Sequence, residues 1–242
     1  TLLHALARRY TPDVLNIYAL DCTSRRTAAF AACPQVGAVL DATDLSRVGR
    51  LFALLDGLLT ERQTRLQGGN YAQYVAAHDV RGYPAVLLVV EDIAAFRERT
   101  ACAYDNTLLR LAREGAACGI YLFVTGSGFG MQDIPARLAD ALRTVLVLEL
   151  PDRARYGETL RCRMPQGLPA EAAPGRGLTV LGGRVVEFQT ALAVDAPDDY
   201  ARADALRRES EALRTAWPGR PARRVPGIPA VPTWRDLTAH ED

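Results

Sequence analysis

Apolar positions along the chain fall into two spacings. Unbroken runs of strand length occur at Val14–Leu20 (VLNIYAL), Gln35–Leu40 (QVGAVL), Val86–Val90 (VLLVV), Ile120–Val124 (IYLFV) and Thr144–Leu150 (TVLVLEL). They lack the alternation of a half-wet strand, so they predict strands buried on both faces. Between them the spacing is helical. Leu2, Leu3 and Leu6 with basic residues at Arg8 and Arg9 predict a helix over Thr1–Arg9 that is already under way at the first residue, so the natural chain is expected to extend upstream. Thr43 or Asp44 caps a long helix carrying Leu45, Val48, Leu51, Phe52, Leu55 and Leu59, with Arg47, Arg50, Glu61 and Arg62 on its wet side. Gly68-Gly69-Asn70 ends it, and the tyrosine-bearing stretch to Tyr83 reads as a surface loop with one helical turn. A long helix ending LAREGAACG fills the interval between the third and fourth runs; Ile134–Leu142 is a short helix and Asp198–Arg214 a charged one.

Strands alternating with helices indicate an α/β fold with a mostly parallel sheet and right-handed crossovers. Leu178–Leu181 and Arg184–Gln189 flank Gly182-Gly183, which predicts a C-terminal antiparallel hairpin extending that sheet. From Trp217 the prolines at 218, 221, 226, 229 and 232 predict extended chain on the surface. The organisation expected is therefore a domain over 1–214 and a proline-rich tail over 215–242.

Composition narrows the chemistry. A chain of 242 residues buries a substantial core in one domain, and a net charge of +1 gives no global field for nucleic acid or an anionic membrane. Arginine supplies the whole basic count of 29 and lysine is absent, so the sequence as given holds no P-loop, which needs a lysine on the phosphates. The five cysteines are scattered without CxxC spacing or a nearby histidine, against both a zinc site and a disulfide framework and in keeping with a reducing cytosol. No apolar run approaches the roughly 20 residues of a spanning helix, and there is no signal peptide.

Candidate chemistry gathers where the buried runs end. Glu91 and Asp92 follow Val90 directly, Thr125 follows Val124, and Asp21 follows Leu20. Open α/β sheets place ligands at the carboxyl ends of their strands. A carboxylate there can hold magnesium and its neighbour can orient the water that attacks a γ-phosphate, while a hydroxyl on the next strand can sense that phosphate. The alternative is that these strands simply end in polar turn residues as they reach solvent. The glycines of Gly126–Gly130 (GSGFG) do not have GxGxxG spacing, and no acid stands at the ribose-binding distance, so a dinucleotide fingerprint is rejected.

Several stretches together carry a resemblance. Thr1-Leu2-Leu3 resembles the residues after a Walker A lysine, LLVVED the Walker B position, and REGAACGIYLFVTG the R-x-G-x-x-x-G-I-h-h-h-x-T run before a sensor loop. Arg176-Gly177-Leu178, Val186-Glu187-Phe188-Gln189 and the closing IPAVP are similar to the GRGL, EFQ and IPxLP stretches of the same domains. In this order they resemble an ATPase domain of the FtsK/SpoIIIE family, and within it the EccC/EssC-type motors of type VII secretion. The resemblance implies a RecA-like P-loop NTPase fold lacking its first strand and Walker A loop, with ATP and magnesium as cofactors. It places Glu91 on the metal, Asp92 as water-orienting residue and Thr1 beside the magnesium, with Thr125 as the cofactor-binding hydroxyl at the next strand's tip. Arg143 is the candidate arginine acting on a neighbouring subunit.

The departures matter as much. The family's Walker B usually opens with Asp, and Glu91 is longer by one CH₂; a misplacement near 1 Å can cost about 100-fold in rate. Thr125 is followed by GSG and not by the QRP of DNA motors, which favours the secretion-type members. The resemblance implies sister ATPase domains or subunits in a ring, a secreted protein as substrate, and a place on the cytoplasmic side of the cell membrane through other parts of a larger anchored protein. Three readings stand at this point: an ATP-driven export module, inactive without its upstream loop; a degenerate, non-hydrolysing module that binds a substrate signal or regulates a neighbouring ATPase domain; and a DNA translocase, disfavoured by the balanced charge.

Overall fold

A computed structural model describes residues 1–23, 26–78, 82–128, 130, 133–152, 154–167 and 173–225. The proline-rich stretch beyond Val225, with IPAVP, lies outside the described residues. Four parallel strands, β1 (Leu15–Asp21), β2 (Val36–Asp41), β3 (Ala85–Val90) and β4 (Ile120–Val124), stand in the order β2-β1-β3-β4. On one face Tyr18, Leu20, Leu40, Leu88 and Val90 meet the long helix α2 (Leu45–Leu66), whose Val48, Leu51, Leu55 and Leu59 are fully buried. Each such leucine contributes about 1.5–3 kcal/mol relative to exposure. On the other face Ile17, Ala19, Leu87 and Val89 lie under Leu3 and Leu6 of α1 (Leu2–Arg9). The central strands β1 and β3 are thus buried on both faces, as their unbroken apolar runs require.

Asp44 caps α2 by accepting from the Arg47 amide at 3.0 Å, while Thr43 turns back to Asp41. Several expectations are corrected further along. Arg62 is not on the wet side of α2: it is 3% exposed, donating to the carbonyls of Cys118 at 2.9 Å, Gly119 at 3.2 Å and Pro84 at 2.6 Å. The tyrosine segment is no loop but a short helix, α3 (Tyr71–Ala77), and Tyr71 and Tyr83 are buried with their rings 5.6 and 4.6 Å from the Arg62 guanidinium. Burial pulls the Arg62 pKa down, with both tyrosines among the groups that oppose this. The guanidinium therefore staples the turns that enter β3 and β4, and the rings cover its flat face.

The single helix expected between β3 and β4 is broken. It consists of α4 (Ile93–Arg99), a turn in which Ala101 and Cys102 take positive φ, then α5 (Asp105–Arg110), a π turn (Leu111–Gly115) and a 3-10 turn (Ala116–Cys118). β4 is the sheet edge and only partly covered, with Tyr121 44% exposed, whereas a strand buried on both faces was expected. Beyond it come α6 (Ala136–Ala141), β5 (Leu146–Val147), α7 (Arg155–Leu160), β6 (Arg176–Leu181) and β7 (Arg184–Gln189). The run Thr144–Leu150 yields only the two residues of β5, with Leu146 and Leu148 exposed. The hairpin β6-β7 forms as its Gly-Gly turn predicts, but it builds a separate antiparallel sheet, β5-β6-β7, instead of extending the parallel one. Val147, Leu178, Tyr156 and Leu160 give this second sheet its own small core.

The last helix, α8 (Asp199–Ala216), is tied to α1 through Glu209, which accepts from Arg8 Nη1 at 2.7 Å and pairs with His4 Nε2 at 2.8 Å. The chain then returns to the parallel sheet. Ala222 donates to the Pro34 carbonyl at 2.8 Å, and the Tyr18 hydroxyl donates to the Arg223 carbonyl at 2.7 Å. A Cβ at Gly37 would stand 2.4 Å from that carbonyl, so β2 can pass beneath this strap only with glycine there. Among the described residues no helix is long and apolar enough to cross a membrane.

Candidate functional site

The parallel register brings the polar strand ends into one row. Asp21 lies opposite Asp41, Leu20 opposite Val90, and Val90 opposite Val124, so Glu91 and Thr125 follow neighbouring positions at the carboxyl edge. The Glu91 amide donates to the Leu20 carbonyl and the Thr125 amide to the Val90 carbonyl, each at 2.9 Å, which extends the ladder to these residues. Glu91 is half-buried with its Oε2 out of solvent.

Asp92 leaves the strand in a left-handed conformation, φ 53°, and caps α4 by accepting from the Ala95 amide at 3.2 Å. Its own amide donates to the Thr125 hydroxyl at 3.1 Å, and the next amide, Ile93, donates to the Thr125 carbonyl at 2.9 Å. A non-glycine residue in this region costs on the order of 1–3 kcal/mol, and such strain gathers at functional positions. Aspartate tolerates it better than most residues because its short polar side chain bonds locally.

The edge is strongly anionic. Asp21 is buried and holds Thr27 through both the hydroxyl and the backbone amide of that residue. Cys22, next to it, has its thiol pushed from 9 up to about 12, first by burial, with Arg99 pulling it down and Glu91, Asp21 and Asp92 pushing it up. Arg99, Glu91, Asp21 and Asp92 thus all stand within electrostatic reach of this thiol, and Arg99 lies 3.6 Å from Asp41. Among the described residues no group of three or more His, Cys, Asp or Glu side chains could hold a metal ion. Magnesium, however, keeps several waters and commonly takes one or two carboxylates plus phosphate oxygens. A single Glu91 carboxylate at this edge fits that requirement.

The structure thus brings Glu91, Asp92 and Thr125 together. Thr1 instead donates its hydroxyl to the Ala191 carbonyl at 2.8 Å, and Arg143 is exposed between α6 and β5; neither makes a described contact with the acids. One residue absent from the sequence reading stands close by. Arg97 on α4 grips the Asp105 carboxylate at 3.0–3.2 Å and donates to the Asp133 carbonyl at 3.2 Å. The Asp105 hydrogen bonds raise the Arg97 pKa, while burial opposes them. Nothing in the sequence sets Arg97 apart from other helical arginines, because Asp105 follows it across a helix break that the apolar pattern does not show.

The glycines of REGAACG also find their reason here. A Cβ at Gly115 would lie 2.5 Å from the Ile120 carbonyl, and Gly119, at φ 71°, sits against the Tyr71 ring, where a Cβ would lie 2.4 Å from it. The motif sets the entry of β4, and through it the position of Thr125.

No family model matches the chain. EccC of the ESX secretion system from Thermomonospora curvata is 27% identical over 241 residues, covering 96% of this chain. The ESX-1 protein EccCb1 of Mycolicibacterium smegmatis is 25% identical over 194 residues. Among solved structures, ATPases 2 and 3 of EssC from Geobacillus thermodenitrificans superpose with a TM-score of 0.82 at 20% identity over 98% of this chain and 45% of that one. ATPases 2 and 3 of T. curvata EccC, solved in complex with a signal sequence peptide, give 0.75 at 25% identity over 95% of this chain and 41% of that one. The chain is thus similar in sequence to EccC proteins of ESX secretion systems and in fold to ATPases 2 and 3 of EccC and EssC. It spans 18% of the length of T. curvata EccC and 31% of EccCb1, so it corresponds to one part of such proteins. The fold described above is similar to the ATPase domains of those proteins, and Glu91, Asp92 and Thr125 lie at the carboxyl edge of its parallel sheet.

Proposed function

We propose that this chain is the greater part, residues 1–214, of an ATPase module in a type VII secretion motor, with the phosphate-binding loop supplied by residues upstream of Thr1. The observation that carries the reading is the contact of Asp92 with Thr125 beside Glu91 at the carboxyl edge, in a domain with EccC/EssC architecture. The position of β4 at the edge of the parallel sheet supports it, because a further parallel strand leading to such a loop would pair there. Glu91 would hold magnesium, which when bound supplies charge neutralisation at the phosphates. Asp92 would orient the attacking water, Thr125 would meet the γ-phosphate, Thr1 would approach the magnesium once the loop is present, and Arg143 would act on a neighbouring subunit. The exported protein, sister domains in a ring and a place at the cytoplasmic face of the membrane belong to the same reading.

The test is calorimetry with ATP and magnesium on a chain lengthened through the upstream residues of its gene, alongside Glu91→Gln and Asp92→Asn. Micromolar binding that weakens in Glu91→Gln supports the module. Lack of a GxxxxGK stretch upstream, or binding indifferent to both acids, sinks it. The 242-residue chain alone is expected to show little or no ATP turnover, and steady turnover by it would overturn the assignment of the loop.

A second reading is favoured by the signal peptide in the T. curvata complex: a module that binds a secretion signal without hydrolysing ATP. Binding of a signal peptide to the 242-residue chain in the absence of nucleotide, unchanged by Glu91→Gln, is the result that would select it.

A further inference from the structure

α4 holds Thr125 at one end and Asp133 at the other. At its start the amides of Asp92 and Ile93 donate to the hydroxyl and carbonyl of Thr125. At its far end Arg97 Nη1 donates to the Asp133 carbonyl at 3.2 Å, and Asp133 Oδ2 accepts the Gly130 amide at 3.0 Å. The arginine is itself fixed. Its Nε and Nη2 hold both oxygens of Asp105 in a fork that is mostly out of solvent, 17% and 23% exposed. The cation lies in the last turn of α4 and the anion in the first turn of α5, so both helix ends favour the pair. A planar fork that serves a carboxylate and a carbonyl together is something only arginine provides.

We infer that Arg97 is a positioning residue: held by Asp105 and bonded to the Asp133 carbonyl, it fixes α4, whose first turn holds Thr125, and so sets where the Thr125 hydroxyl stands relative to the acids. The inference rests on the ATPase reading for what that hydroxyl would meet, but these contacts exist without nucleotide. Because α4 grips both residues, a shift of Asp92 moves Thr125 and Asp133 together. Gly128 belongs to the same packing, since a Cβ there would fall 2.7 Å from Asp133 Oδ2.

Two measurements test it. In hydrogen–deuterium exchange on the 242-residue chain, Arg97→Ala should speed exchange of the Asp92 and Ile93 amides by about tenfold, the size of a lost charge-assisted hydrogen bond, with the amides of β1 unchanged. Gly128→Ala, which crowds the Asp133 carboxylate, should act in the same direction, and Asp105→Asn more weakly. Unchanged Asp92 and Ile93 amides, or equal acceleration throughout β1, overturn the inference. In the upstream-lengthened chain, Arg97→Ala should lose about tenfold in preference for ATPγS over ADP while ADP affinity stays the same; equal loss for both ligands marks a merely structural role and overturns it. Arg97→Lys should not rescue either readout. If the lengthened chain binds neither nucleotide, the ATPase reading fails, and the exchange experiment alone decides the positioning role of Arg97.

Discussion

The amide of Asp92 donates to the hydroxyl of Thr125 at 3.1 Å, joining the residue that caps α4 to the residue that follows β4. Thr125→Val keeps the shape and removes the acceptor, leaving a half-buried N–H unsatisfied at a cost of about 1 kcal/mol. For a domain of this size the expected fall in melting temperature is about 2–4 °C, with Thr125→Ser close to the parent. Equal melting of the Val and Ser variants would show that the bond contributes nothing.

Arg62 serves three carbonyls from inside the fold. Arg62→Met matches its stem but leaves those acceptors short of donors, so a loss of at least about 2 kcal/mol is expected. Urea denaturation should show a lower midpoint at an unchanged slope. Arg62→Lys should fall between the two, since an ammonium cannot span the same fork.

Alkaline pH should weaken the fold in a defined window. The Tyr18 hydroxyl is pushed from its ordinary 10 up to about 12, chiefly by burial, so the unfolded chain releases this proton first. The contribution of neutral Tyr18 is fully present below pH 10 and is lost as pH rises toward 12. Cys22, pushed from 9 up to about 12, adds the same sign from pH 9. In Tyr18→Phe, denaturation curves recorded from pH 9 to 12 should show a shallower decline than the parent, from a lower starting stability because the bond to the Arg223 carbonyl is gone.

Two glycines should answer alanine in opposite directions. Gly57 lies within α2 with open space around it, so Gly57→Ala should stabilise by about 0.5–1 kcal/mol. Gly119→Ala combines positive φ with a collision against Tyr71 and should cost more than the roughly 1 kcal/mol of the backbone alone. Thermal melting of the two variants decides the matter.

The sequence was legible where one physical cause dominated. The central strands β1 and β3 are buried on both faces, and an unbroken apolar run says so; Asp44 caps α2 because a short acid precedes a helical stripe. The meeting of Glu91, Asp92 and Thr125 at one edge followed from the same rule, since parallel strands in register deliver them there, whereas Thr1 and Arg143 lie apart from them. Reading failed where a residue's surroundings come from distant chain. Arg62 has the spacing of the buried stripe, falling between Leu59 and Leu66, but charge suggested solvent until the carbonyls of Pro84, Cys118 and Gly119 were seen to receive it. Nothing in IYLFV distinguishes an edge strand from a central one, and TVLVLEL is apolar enough for a strand of seven although β6 pairs with only two of its residues. Arg97 could not be told from other helical arginines until Asp105 and Asp133 appeared on either side of it.

The strap that closes over Tyr18 has a bearing on how the chain is made. Tyr18 and Arg223 are 205 positions apart, and their hydrogen bond joins nearly the first strand to nearly the last described residue. At ordinary rates of synthesis Tyr18 leaves the ribosome about 10–40 s before Arg223 does. For that interval the groove around Gly37 stands open on a sheet that is otherwise able to form. A nascent chain paused near α8 would therefore offer chaperones and proteases a specific unfinished seam at β2, and its closing is a late, chain-length-dependent step in maturation.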